Sequence, residues 1–182
     1  MDGVGLRALQ APLKQRYRDE PATALTPVHA TGTLDGVDYT CVVPTSAGAV
    51  VAGLHRATGG DGSDECSADM LMQAVVACAG VTFRCVAEAS GVKLRTARLV
   101  AHSSFDARGT LGVSREVPVG VGDVEIDITV DTEADDARLA RLAELTERYC
   151  VVGQSLRNPV RFRVLRASST GDDVPATGRP EG

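Results

Sequence analysis

From Met70 to Phe83 the chain is apolar at every position except Gln73 and Thr82. Wound into a helix, such a run shows no polar face to water, so other elements must enclose it on several sides. Ser67 stands where an N-cap is wanted, Asp69 falls in the first turn where the macrodipole favours an acid, and Gly91 supplies a stop. A helix is therefore predicted over about Ser67 to Ser90. The run is shorter than the roughly 20 residues needed to cross a bilayer, and Arg84 closes it. It reads as a core helix around which the rest of the fold is arranged.

The remaining segments are those of a small mixed domain. His29 to Val43 reads as a β-hairpin turning at Asp35-Gly36, and Ala47 to Leu54 as a third strand. Thr58-Gly-Gly-Asp-Gly62 is a flexible connection. Val92 to Asp106 suggests one or two further strands, with a turn at Arg108-Gly109, and Val124 to Val130 alternates apolar and acidic residues as a strand with one wet face. Leu139, Leu142, Ala143 and Leu145 recur at helical spacing, preceded by Glu133, Asp135 and Asp136, and predict an amphipathic helix over Asp135 to Tyr149. After a short helical turn from Cys150, Asn158-Pro159 breaks the chain and Val160 to Leu165 forms a last strand. Strands, long helix, strands, helix and strand in that order describe an α+β fold. Residues 1–20 are expected to form an N-terminal arm, 21–166 the domain, and 167–182 a disordered tail.

Composition excludes some partners. A net charge of −5 with no basic run, among 182 residues of which 3% are aromatic, lacks the footprint of a nucleic-acid binder. The N-terminus has no apolar stretch suited to a signal peptide, so a cytoplasmic, non-membrane protein is expected. Cys41, Cys66, Cys78, Cys85 and Cys150 form an odd, scattered set without a CxxC pair, which fits neither a disulfide framework nor a structural zinc site. Neither a metal nor a cofactor is expected.

Two cysteines have suggestive settings. Cys78 is in mid-helix among Ala77, Ala79 and Gly80, whose small side chains leave room to approach its sulfur. Cys150 ends the second helix, where the chain turns and a thiol can move, as a resolving cysteine must. Cys85, seven residues after Cys78 on the same helical face, is an alternative partner by spacing.

Gly59-Gly60, the helix segment Ser67-Ala-Asp-Met-Leu-Met-Gln-Ala-Val-Val-Ala-Cys78, the turn Asp106-Ala-Arg-Gly109, and Glu147-Arg-Tyr-Cys150-Val-Val-Gly-Gln-Ser-Leu156 together resemble the ordered signature of the OsmC/Ohr family, over roughly residues 27 to 166. The resemblance implies an OsmC-like fold: two strongly bent antiparallel sheets wrapped around the long central helices of an intertwined homodimer. It also implies reduction of organic hydroperoxides, with Cys78 as the peroxidatic and Cys150 as the resolving cysteine, and a dithiol such as a lipoylated protein as reductant. The family holds its thiolate with an Arg oriented by an acid, because a buried thiol needs a nearby cation to ionise. Its acid, ten residues before the first cysteine, falls on Ala68 here. Asp69 and Glu65 stand nearby, and a one-residue shift on a helix turns a side chain by about 100°. For the Arg, Arg56 is the first candidate, ahead of Arg16 and Arg18, with His55 beside it. Asp106 and Arg108 are expected to shape a turn. The departure at Ala68 keeps a second function open, an OsmC-like stress-associated or binding dimer with little peroxidase activity, and a third in which the cysteines only pack the core.

Overall fold

The computed structural model describes residues 3–34 and 38–167. The turn expected at Asp35-Gly36 and all of the tail expected over 167–182 except Ala167, whose N–H donates to the Val130 carbonyl at 2.7 Å, lie outside the described residues. The N-terminal arm carries a helix, α1 (Gly3–Asp19), with Pro12 inside it. A proline removes a backbone donor and disfavours a helix interior by about 3 kcal/mol, which is why local periodicity did not mark this one. A short 3-10 turn (Pro21–Ala24) follows.

Strands β1 (Cys41–Thr45) and β2 (Gly48–Gly53) pair antiparallel, Cys41 opposite Ala52, and β2 pairs in parallel with the two-residue β3 (Glu65–Cys66). Thr33 bridges Val42, the remnant of the predicted hairpin among the described residues. In the second sheet β4 (Thr96–His102) runs antiparallel to β5 (Glu125–Asp131), which pairs in parallel with β6 (Arg161–Arg166). The all-antiparallel pairing expected from the sequence is thus corrected: each sheet contains one parallel pair. The helical connection between β5 and β6 carries the chain back to the end at which β5 began, so β6 enters in the same direction.

The predicted central helix is α2 (Ser67–Ala89). Its N-cap is Cys66 rather than Ser67, without a side-chain capping bond, because β3 runs directly into the first turn. Gly91 adopts φ +67°, the left-handed stop its position suggested. The whole helix is 23 residues and contains an 18-residue window with a mean hydropathy of 1.7, long and apolar enough to span a membrane by length and composition, which the apolar run alone did not indicate. Val75, Ala79, Phe83, Val86 and Ala87 are instead buried in the protein core.

The core forms where α2 meets the inner face of β5. Along Glu125–Asp131 alternate residues are buried, and Ile126, Ile128 and Val130 have no exposed surface. The amphipathic α4 (Asp136–Tyr149), capped by the Asp135 carboxylate, which accepts from the Arg138 N–H at 2.8 Å, adds Leu139 and Leu142. Two four-residue helices complete the set, α3 (Ala107–Thr110) and α5 (Val151–Gln154). No residue of β1, β2 or β3 is buried.

Candidate functional site: a pair of thiols between α2 and α5

The tight passage from α4 to α5 places the second thiol. Cys150 closes α4, its N–H donating to the Thr146 carbonyl at 2.9 Å, and also caps α5, whose Gly153 N–H donates to Cys150 Sγ at 3.4 Å. Its side chain is completely buried. Gly153 must be small here, since a Cβ would lie 3.3 Å from that sulfur and 3.4 Å from Val160. Cys78, half-buried on α2, packs against the core, and α5 lies against this helix.

The two thiols are free, and each shifts the ionisation of the other. Burial pushes the Cys78 thiol up, but donors outweigh it: the backbone N–H of Val152, the Cys150 thiol, the Thr82 hydroxyl and the Val151 N–H hold its pKa below the ordinary 9.0. Cys150 moves the other way. Burial raises it first, and its bond to Cys78 and repulsion from a charged Cys78 raise it further, against the Gly153 and Val152 N–H groups. The environment therefore separates two identical side chains, making Cys78 the more acidic of the two and Cys150 the less acidic. An ionised thiol is the nucleophilic form, and a protonated neighbour within reach is a proton donor.

Thr82 escaped the sequence reading, although its i, i+4 spacing from Cys78 places both on one face of α2. The backbone donors of Val151 and Val152 carry no side-chain signature at all.

The other candidates are elsewhere. Arg56 opens a 3-10 turn (Arg56–Thr58), and its guanidinium overlies Gly62, where a Cβ would be 2.3 Å from Nε, close enough to attract the Asp61 carboxylate. Gly59, at φ +101°, ends that turn, and Gly60 is pressed so closely on Leu54 that a Cβ would lie 1.8 Å from the carbonyl oxygen. Asp69 sits exposed in the first turn of α2. Neither Arg56 nor Asp69 is among the groups that act most strongly on the Cys78 sulfur. Glu65 accepts from Gln73 at 2.6 Å, and His55 accepts the Ala57 N–H at 3.0 Å while its ring meets Phe105 edge-on. Arg16 lies over Tyr17 and Arg18 bonds Gln15, both on α1. Asp106 caps α3 and grips Arg108, which lowers its carboxyl to about 2, a local structural role.

A cavity of about 380 Å³ at the N-terminal end of α2 is lined by Ala68, Leu71, His55 and Phe105 and lies apart from the thiols. No cluster of three or more His, Cys, Asp or Glu suited to a metal occurs among the described residues.

With these elements in place, the fold can be compared with known proteins. The OsmC-like protein from Mycoplasma pneumoniae superposes with a TM-score of 0.64 at 10% identity, over 79% of this chain and 99% of its own. An organic hydroperoxide resistance protein from Elizabethkingia anophelis gives 0.61 at 13% identity, over 79% of this chain and 96% of its own. One from Legionella pneumophila, described as OsmC, gives 0.56 at 15% identity over 79% and 100%. These identities establish a shared fold. Residues 60–164, more than half of the chain, match the family model described as OsmC-like protein, and the chain belongs to that family. No curated protein matches it significantly in sequence.

Proposed function

We propose that the protein is a thiol-dependent peroxidase that reduces organic hydroperoxides to alcohols, with residues 21–166 as its functional domain. The observation that carries this reading is the packing of α5 against α2, which sets a buried Cys150 beside Cys78 with both thiols free and their acidities shifted in opposite directions. The Cys78 thiolate attacks the distal peroxide oxygen. An S–O bond forms, the O–O bond breaks, and the departing alkoxide takes a proton to leave as the alcohol. Cys78 is then a sulfenic acid. Cys150, deprotonated as it attacks, forms the S–S bond and expels the hydroxyl as water. A dithiol, such as a lipoylated protein, exchanges with that disulfide and restores both thiols. Apolar side chains around Cys78 favour an alkyl or aryl hydroperoxide over hydrogen peroxide. Five free cysteines suit a reducing cytoplasm.

The working form in this proposal is a homodimer. Leu25, Val28 and Tyr39 are 88%, 94% and 83% exposed, and Val81 on α2 is 68% exposed beside the small Ala74 and Ala77. Apolar surface of this extent calls for a partner, and the small-residue face of α2 admits a second helix closely. A second copy would cover both.

Titration of the reduced protein with cumene hydroperoxide, followed by mass spectrometry, tests the chemistry. Loss of two hydrogens, mapped to a Cys78–Cys150 link, is expected, together with its disappearance in Cys78→Ser. Intact thiols after excess peroxide, or an equal yield of link in Cys78→Ser, would overturn it. The absence of any guanidinium among the strongest influences on Cys78 favours a second reading, a stress-associated dimer with little peroxidase activity. Under it, turnover stays near the rate of a free thiol.

A further inference from the structure

We propose that the cavity between α1 and the C-terminal half of α2 is a binding site for an apolar carboxylate, distinct from the thiol pair but sharing a wall with it. The cavity is about 550 Å³, inside the range of roughly 300–1,000 Å³ typical of small-molecule sites. Leu6 and Val86 give it an apolar lining, and Arg7 and Lys14 come to it from α1. Seven residues apart, these two cations lie on one helical face about two turns from each other.

The charge at this cavity is net positive. Among the described residues no carboxylate lies within ion-pairing distance of Arg7 or Lys14. Glu88 also borders the space, but Arg84 pairs with it at 3.5 Å. Arg7 donates to the Ala89 carbonyl at 2.9 Å, which ties its guanidinium to the end of α2 while engaging, among the described residues, one of its five donors. A fixed guanidinium fork matches a carboxylate, and the apolar lining beyond it matches a hydrocarbon body. A ligand with both parts satisfies the two halves of the site at once.

Two further observations bear on it. α1 precedes the residues that match the family, 60–164, and the solved structures of that fold are spanned almost completely by 79% of this chain, so about a fifth of it lies beyond the shared fold. Thr82 and Tyr149 form part of the wall, the first one helical turn from Cys78 on α2 and the second adjoining Cys150 in the chain. A ligand seated here is one side chain from the thiols.

The site is read without peroxide, so its failure is separate from any failure of the peroxidase reading. The reduced full-length protein is titrated with decanoate, decanol and decyltrimethylammonium by calorimetry, and the Arg7→Gln/Lys14→Gln protein in parallel. Decanoate is expected to bind at least tenfold more tightly than either other probe. The double variant is expected to lose that advantage while its affinity for decanol is unchanged, which shows that the cavity itself is intact. Alkylation of Cys85, which lines the cavity, is expected to slow several-fold with decanoate bound. Absence of decanoate binding to the native assembly, equal affinity for decanol, or undiminished decanoate binding by the double variant would each overturn the proposal.

Discussion

At the scale of the residue, the proposed chemistry rests on how unequally two cysteines are solvated. Cys78 collects donors and Cys150 is enclosed, so one sulfur is biased toward the anion and the other toward the thiol. For an acidic group held below its ordinary value, the charged fraction is enlarged in the window between the held value and 9.0, and alkylation by iodoacetamide tracks that fraction. The midpoint of the Cys78 rate-against-pH curve is accordingly expected below 9.0. In Thr82→Val, which keeps the shape and removes the hydroxyl, it is expected to move upward, and likewise in Cys150→Ala. An unmoved midpoint in both variants would show that these donors do not stabilise the thiolate. Cys78 was legible in the sequence from its small neighbours, and Cys150 from its place at a helix end. The donors around them were not, because backbone N–H groups are common to nearly every residue and only the path of the chain aims them.

Among elements, α2 and the junction of α4 with α5 place the two sulfurs, and their packing should be sensitive. Phe83 is 1% exposed in the core cluster, so Phe83→Ala is expected to lower stability by about 3–5 kcal/mol in urea unfolding. Gly153→Ala is a finer probe. The added methyl crowds Cys150 Sγ and Val160, a type of overpacking that costs about 1–3 kcal/mol. Circular dichroism melts would show the loss, and slower disulfide formation after peroxide would show that the crowded sulfur no longer reaches Cys78 as easily. The periodicity of α2, β5 and α4 was plain in the sequence because each buries one stripe or face in a single core. That of α1 was hidden by Pro12 and by a largely exposed surface, which leaves little apolar pattern to detect.

For the whole molecule, the sheet of β1, β2 and β3 poses the main energetic question, since it contributes no buried side chain. In the proposed dimer, a second copy packed on α2 and this sheet is what would answer it. Sedimentation equilibrium is expected to give twice the chain mass of 19.0 kDa. Ala77→Arg, which brings a charge to the small-residue face of α2, is expected to weaken association at least tenfold, as buried unpaired charge at an interface costs several kcal/mol. A chain that sediments as a monomer without substitution would remove the dimer from the proposal.

By itself the sequence determined the central helix, its stop at Gly91, the α+β order of elements and the two cysteines most worth attention. These are consequences of local pattern: periodicity, capping chemistry and small neighbours act over a few residues and can be read from them. Only the tertiary structure decided which groups surround the Cys78 sulfur, that Arg56 turns toward Gly62 and Asp61, and that β6 joins its sheet in parallel. Each depends on where distant segments are carried by the packing of α2, β5 and α4. A guanidinium or a backbone N–H acts through a few ångströms of space, and separation along the chain does not fix that distance.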